Sequence, residues 1–169
     1  MHKEVREFIE RMRDRFPKEF QGAKVIEMGS LDVNGSPRRY FNGGRYLGVD
    51  WRQGKGVDVV SFAHEYSRRS PGYFDFAIST EMLEHDPYSR SSVRKMLTLI
   101  RRGGCLLITC AGPGRHAHDV ATSPRPDHYA NIDMMDLVGE IFDRNSFKAA
   151  FLEDDPTAKD LRFFGWRKR

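Results

Sequence analysis

The sequence predicts an α/β fold with a mostly parallel sheet, and three observations support this. Apolar runs of strand length recur along the chain between Gly, Pro and Asn residues. The first, Lys24–Met28, leads into a glycine turn and then into Ser36-Pro37, which is typical of a helix N-terminus. A later run, Phe74–Ser79, is followed by a helical pattern and then another strand. Both arrangements indicate βαβ units, in which helices connect parallel strands.

Length and composition indicate one domain, residues 1–169. The chain is 39% hydrophobic and 31% charged, as is ordinary for a globular protein. No apolar stretch is long enough to span a bilayer, and the N-terminus lacks an apolar signal region, so we expect a cytoplasmic protein without a membrane partner. The net charge of +4 is compatible with a nucleic-acid partner, but a solvated basic surface explains it equally well. The oligomeric state stays open.

The N-terminal segment, residues 1–17, predicts an amphipathic helix over residues 2–16 that ends at Pro17 and packs on the sheet. A second helix follows the fourth strand, with Gly103-Gly104 suited to close it, and a third helical pattern covers 132–142. The apolar runs after the first strand predict six further strands: Arg45–Asp50, Gly56–Phe62, Phe74–Ser79, Cys105–Cys110, Phe147–Leu152 and Leu161–Trp166. No helical pattern separates the last two, which predicts a hairpin and one antiparallel strand.

Cys105 and Cys110 lie on one predicted strand. Five residues apart on an extended strand they are too distant to pair and face opposite ways, so we expect reduced core thiols. The following loop, residues 111–130, is rich in Gly, Pro, His and Asp and is long for a compact domain. Such loops are usually functional or disordered, and this one is the candidate substrate loop.

The turn after the first strand is the candidate ligand site. Gly29 and Gly35 can adopt backbone conformations closed to other residues and let a ligand approach the main chain. Asp50 ends the second strand 21 residues after Gly29, near the spacing of about 20 at which a carboxylate binds a ribose. Glu27 ends a buried strand and therefore needs backbone amides or a ligand charge as partner. The alternatives are plain turn glycines and a strand-capping Asp50.

His85 is the candidate catalytic residue, because an imidazole titrates near neutrality and can act as a general base. A structural histidine bonded to a loop carbonyl is the equally weighted alternative. Several polar residues of the long loop suggest a metal cluster, but their spacing matches no compact metal motif, so we expect a solvated or substrate-facing loop and no metal. These residues are His116, His118, Asp119, Asp127 and His128.

Four segments together resemble class I S-adenosylmethionine-dependent methyltransferases, over the chain from Lys24 to Trp166. They are EMGS (27–30), YLGVD (46–50), FDFAISTEMLEH (74–85) and RRGGCLLITCAG (101–112). The resemblance implies a doubly wound, Rossmann-like sheet of seven strands, mostly parallel with the last antiparallel, and helices on both faces. It also implies S-adenosyl-L-methionine as cofactor, bound across the carboxyl ends of the first strands.

By the same resemblance, the methionine part and ribose of the cofactor lie among Glu27, Gly29, Ser30, Asn34 and Gly35. Asp50 holds the ribose hydroxyls and Trp51 lies against the adenine, whose edge falls at Ala63 and His64. The sulfonium lies beside Ser79, Thr80 and Glu81. Acceptor-binding candidates are Glu84, His116, His118, Tyr129 and Asn131.

The sequence departs from the family pattern at three positions. Leu31 and Val33 stand where glycines are common, and Phe62 stands where an acid often reads the adenine amine. Adenine recognition then rests on backbone groups and stacking. The acceptor is a small molecule, a sugar, a nucleotide, a polymer end or a protein side chain.

Two other functions stay open. A nicotinamide-dependent oxidoreductase of Rossmann type is disfavoured by Glu27 and by the absence of a GxGxxG turn. A regulatory module that binds the cofactor without catalysis is the other.

Overall fold

Seven strands form one sheet in a computed structural model that describes residues 1–118, 124, 128–142 and 147–169. The strands are β1 (Lys24–Met28), β2 (Arg45–Asp50), β3 (Val59–Val60), β4 (Phe74–Thr80), β5 (Ile100–Ala111), β6 (Phe147–Asp155) and β7 (Asp160–Arg167). Their order is β3-β2-β1-β4-β5-β7-β6. β3 to β5 pair in parallel, and β7 is antiparallel to both β5 and β6. The predicted fold class and the terminal hairpin are confirmed.

Helices cover both faces of the sheet. They are α1 (Lys3–Arg15), α2 (Ser89–Leu99) and α3 (Met134–Phe142). One apolar cluster joins α1 to Val25, Phe76 and Leu107, and the other joins α2 and α3 to residues next to these in the strands, such as Ile26 and Ile108. Successive strand side chains alternate between faces, so the central strands β1, β4 and β5 each contribute to both clusters. In the described part of the chain, no helix has the length and hydrophobicity to cross a bilayer.

Cys105 and Cys110 belong to different clusters, so they lie on opposite faces of β5. Both are buried free thiols, as the sequence predicts. Burial raises the pKa of both thiols, which keeps them protonated.

The helix after β1 is shorter than expected. Ser36 caps a helix as predicted, since its Oγ accepts the Arg38 amide at 3.1 Å, but that helix is a single 3₁₀ turn, Pro37–Tyr40. Asn42-Gly43-Gly44 follows at once, and Gly43 adopts a φ of +72°, which an α-helix cannot continue through. The connection from β3 to β4 contains one further 3₁₀ turn, Ala63–Glu65.

The prediction that Gly103-Gly104 closes the second helix is wrong. The helix ends at Leu99 and β5 begins at Ile100. The register of β4 and β5 shifts between the pairs Phe74–Ile100 and Phe76–Cys105. The two glycines lie within this irregularity, where a Cβ on Gly104 would be 2.7 Å from the Asp75 carbonyl oxygen. They therefore serve close strand packing and not a helix cap.

Candidate functional site

A cavity of about 270 Å³ lies at the carboxyl ends of β1, β2 and β4. The chain leaves the central strand β1 toward β2 on one side and reaches β4 on the other, which opens a crevice at these strand ends. Twelve of the predicted site residues line this cavity: Glu27, Gly29, Ser30, Asn34, Gly35, Asp50, Trp51, Ala63, Thr80, Glu81, His85 and His118.

Gly29 makes the turn out of β1. Its φ is +80°, and its amide donates to the Val49 carbonyl at 2.9 Å. A Cβ built on Gly29 would be 2.4 Å from Met82 Cγ, which packs against the turn. Only glycine satisfies both the backbone conformation and this close approach.

Gly29→Ala should destabilise the protein by about 2–4 kcal/mol, of which about 1–2 kcal/mol is the left-handed backbone and the rest the clash with Met82. Gly22→Ala is the matched control, because Gly22 has a φ of +68° but nothing within 4 Å of an added Cβ. Urea unfolding measures both variants. Equal losses would show that the Met82 contact contributes nothing.

The loop accommodates Leu31 and Val33 where glycine was expected. Within this loop positive φ occurs at Gly29 and Gly35, so the intervening residues need no glycine. The Val33 side chain is 62% exposed, and Leu31 packs toward Gly54. The Gly35 amide donates to Asp32 Oδ1 at 2.7 Å, which closes the turn.

Glu27 places a buried carboxyl at the cavity, with 2% of the residue exposed. Its Oε2 accepts hydrogen bonds from the Tyr46 hydroxyl at 2.9 Å and from Ser36 Oγ at 3.4 Å. Burial raises the pKa of Glu27 to about 7, against the opposing effect of the Tyr46 hydrogen bond. The carboxyl is thus poised to ionise when a cation approaches.

Asp50 lies across the turn from Glu27. Its two carboxylate oxygens accept the backbone amides of Leu31 at 3.1 Å and Arg52 at 3.2 Å. Burial raises the pKa of Asp50, while these amide hydrogen bonds oppose the shift. A carboxylate has about four acceptor positions, so the fixed Asp50 carboxylate can accept hydrogen bonds from a ligand as well as from the backbone. Trp51 and Phe62 line the cavity beside it.

Glu81 lines the opposite wall and adopts a φ of +53°, which is uncommon for a residue other than glycine. Its carboxylate accepts Thr109 Oγ1 at 3.0 Å and pairs with His2 Nε2 at 3.1 Å. Burial alone would raise the pKa of Glu81, but His2 and Arg115 outweigh it and lower the pKa. The same hydrogen bond raises the pKa of His2. At neutral pH this wall carries an ionised carboxylate.

The sequence analysis missed His2 and Arg115, which both line the cavity. The N-terminal segment was expected only to pack on the sheet, but the residue before α1 reaches Glu81 across 79 positions. No local pattern marks His2. Arg115 lies in the loop predicted to be functional, but no motif distinguishes it from the other arginines of the chain.

Six predicted site residues do not line the cavity: His64, Ser79, Glu84, His116, Tyr129 and Asn131. Ser79 is fully buried within β4, and the His64 ring packs on Tyr88 with centroids 4.3 Å apart. The Asn131 side-chain amide donates to the Arg115 carbonyl at 3.1 Å, and His116 is exposed. Asp119 and Asp127 lie outside the described residues.

Glu84 and Tyr129 lie behind the cavity wall, next to His85 and His118. The rings of His85, His118 and Tyr129 contact one another edge to face, with centroids 5.2–5.5 Å apart. Glu84 is fully buried beside them. Burial and the negative charge of Glu81 raise the pKa of Glu84 well above its ordinary value.

Comparison with known proteins gives the fold. No family model matches the chain, and neither does any curated protein sequence. Many solved structures match over nearly the whole chain, and several are S-adenosylmethionine-dependent methyltransferases. At this low sequence identity they show that the chain has the class I methyltransferase fold.

Three of these structures illustrate the range. Burkholderia thailandensis 1,6-didemethyltoxoflavin-N1-methyltransferase, with S-adenosylhomocysteine bound, is 19% identical over 97% of this chain and 78% of its own, with a TM-score of 0.68. Magnesium protoporphyrin IX methyltransferase from Synechocystis PCC 6803, with S-adenosylmethionine bound, is 14% identical over 96% and 79%, with a TM-score of 0.67. The [4+2]-cyclase SpnF is 12% identical over 96% and 81%, with a TM-score of 0.71.

Proposed function

We propose that the protein is an S-adenosylmethionine-dependent methyltransferase. The observation that carries the proposal is the Asp50 carboxylate, held by two backbone amides at the rim of a cavity that also contains Glu27 and the Gly29 turn. The solved methyltransferases that share the fold support it. The acceptor stays as open as the sequence left it: a small molecule, a sugar, a nucleotide, a polymer end or a protein side chain.

The described residues fit the adenosine half of the cofactor. Backbone amides hold the Asp50 carboxylate in a fixed orientation, which suits a pair of ribose hydroxyls as donors. Trp51 and Phe62 offer aromatic faces to the adenine, and the Phe62 ring is 37% exposed. No acidic side chain is needed at position 62 if stacking and backbone groups bind the base.

The other half of the cavity fits a cationic group. Glu27 and Glu81 place two carboxyls on its walls, one with a pKa of about 7 and one ionised at neutral pH. An ammonium or sulfonium group beside Glu27 would favour its charged form. Gly29 lets the ligand approach the main chain.

When bound, S-adenosylmethionine supplies an electrophilic methyl group. The chain's own contribution is to hold the acceptor in line with that methyl and to exclude water. His85 lies at the cavity with 7% of the residue exposed, and we assign it as the base that removes a proton from an acceptor that carries one. The loop containing His118 borders the same side, which suits acceptor binding.

The test is calorimetric titration of the purified protein with S-adenosylhomocysteine, followed by a labelled-methyl assay across acceptor panels. We expect one binding site. A protein that is stabilised against heat by NADH but not by S-adenosylmethionine would instead be a nicotinamide-dependent oxidoreductase.

A second candidate follows from SpnF, which is a [4+2]-cyclase with this fold. The fold therefore does not dictate methyl transfer, and a chain that binds the cofactor can serve another purpose. Tight binding of S-adenosylhomocysteine with no methyl transfer to any acceptor class would favour such a protein. It could be a different enzyme or a regulatory module without catalysis.

A further inference from the structure

The loop after β4 and the loop after β5 bring three metal-ligating side chains together. Glu84 and His85 follow β4, and His118 follows β5. One carboxylate oxygen of Glu84 and one ring nitrogen of each histidine all lie within 4.8 Å of one another. No local motif marks this cluster, because His118 lies more than thirty positions from His85.

The Glu84 carboxyl is the independent sign of a ligand. It is fully buried, and neither oxygen has a hydrogen-bond partner among the residues that the structure describes. The backbone amides of Glu84 and Ala111 oppose the rise in the pKa of this carboxyl, but neither amide meets the geometry of a hydrogen bond to it. A buried carboxyl without a partner is costly, so a missing group should complete this site.

The hydrogen bonding of His118 and the position of Tyr129 are compatible with a metal site. Nδ1 of His118 lies 3.1 Å from the His116 carbonyl oxygen, which favours a proton on Nδ1 and leaves Nε2 as a lone-pair donor. The Tyr129 ring packs on both imidazoles. Its hydroxyl is buried and has no partner in the described ranges, so it can hydrogen-bond to a metal-bound water or act as a further ligand.

We propose that Glu84, His85 and His118 bind a divalent transition-metal ion, with Zn²⁺ as the best match. Two imidazoles and one carboxylate with an open position are a common zinc ligand set. Ligands about 2.1 Å from an ion lie about 3–4 Å apart, so the three side chains need to close by on the order of 1 Å. The site borders the cavity through His85 and His118.

A second cluster of the same kind does not support a metal. His2, Glu81 and Asp160 also lie within 4.8 Å of one another. However, Arg115 and Arg162 both donate to the Asp160 carboxylate, and His2 pairs with Glu81. The charges of this cluster are already balanced, in contrast to the orphan carboxyl of Glu84.

The same ring nitrogen of His85 cannot both bind a metal ion and act as the base in methyl transfer. A ring nitrogen of His85 that ligates an ion cannot accept a proton from the acceptor. The metal-bound protein therefore needs another route for that proton, and the metal-free protein does not. The metal site itself does not depend on the proposed methyltransferase activity.

The experiment is calorimetric titration of the chelator-treated full chain with ZnCl₂, with MnCl₂ as comparison. We expect one Zn²⁺ per chain. Glu84→Gln keeps the size of the side chain, and it and His118→Ala should each weaken Zn²⁺ binding by at least about 10-fold, the loss seen when even an outer partner of a metal ligand is removed. His116→Ala, two positions away, should leave the affinity within about twofold.

No Zn²⁺ or Mn²⁺ binding by the unaltered protein overturns the proposal, and so does equal affinity in Glu84→Gln and the unaltered protein. Thermal unfolding of each variant without metal checks that it folds. Added Zn²⁺ should raise the Tm of the unaltered protein and of His116→Ala, but not that of Glu84→Gln or His118→Ala. Titration with S-adenosylhomocysteine is run separately, so failure of either site is recognised independently of the other.

Discussion

Asp50→Ala is expected to abolish measurable binding of S-adenosylhomocysteine. A pair of ribose hydroxyls is expected to donate to the Asp50 carboxylate, which the Leu31 and Arg52 amides hold in place, and each hydrogen bond to a charged group contributes about 1.5–3 kcal/mol. Loss of both corresponds to a fall in affinity of about 100-fold or more, since about 1.4 kcal/mol is tenfold. Isothermal titration calorimetry measures the change.

Two controls separate ribose binding from loop structure. Asp50→Asn keeps the shape of the side chain and one amide acceptor, and should bind with intermediate affinity. Asp154→Ala removes an exposed carboxylate on β6 and should bind as the unaltered protein does. Unchanged affinity in Asp50→Ala, with normal thermal unfolding, would remove the ribose assignment.

Glu27→Gln is expected to make the protein progressively more stable than the unaltered chain as the pH rises. The pKa of Glu27 is about 7 in the folded protein, against an ordinary value of 4.5 that we take for the unfolded chain, a rise of about 2.5. At about 1.4 kcal/mol per unit, the advantage of Glu27→Gln should grow by about 3 kcal/mol between pH 4.5 and pH above 7.

The sign follows from proton binding. Between pH 4.5 and pH 7 the folded chain retains a proton on Glu27 that the unfolded chain has released. The stability due to this proton is fully present below pH 4.5 and is lost as the pH rises through 7. Urea unfolding at several pH values measures the difference between the two proteins, and subtraction cancels the other titrating groups.

Glu7→Gln, on the exposed side of α1, is the control and should show no such growth with pH. A constant difference between Glu27→Gln and the unaltered protein would show that the Glu27 carboxyl ionises normally. In that case the cation-binding role of this wall would lose its support.

The strands and the core of the cofactor site were predictable because they depend on local pattern. β1 and β2 pair in parallel with Met28 opposite Val49, which places Gly29 next to the end of β2 at Asp50. The number of residues in one crossover sets that proximity, so a spacing in the sequence can reveal it. The length of the helix after β1 was not predictable. Ser36 caps its start, but the sequence alone does not show that Gly43 adopts a positive φ and stops the helix after one turn.

The other walls of the site depend on contacts between distant segments. His2 reaches Glu81, and His118 reaches Glu84 and His85, through the packing of α1 and of the loop after β5. Neither contact leaves a periodic pattern in the sequence, since each depends on how several elements pack together.

By itself, therefore, the sequence determined the strands of the sheet, its terminal hairpin and the pairing of the glycine turn with Asp50, because hydrophobic periodicity and short-range spacing encode these directly. Only the tertiary structure decided which charges face Glu81 and which histidine joins Glu84. Those neighbours depend on how elements far apart in the chain pack together. Packing buries the carboxyl groups away from water, and a buried carboxyl without a partner costs free energy.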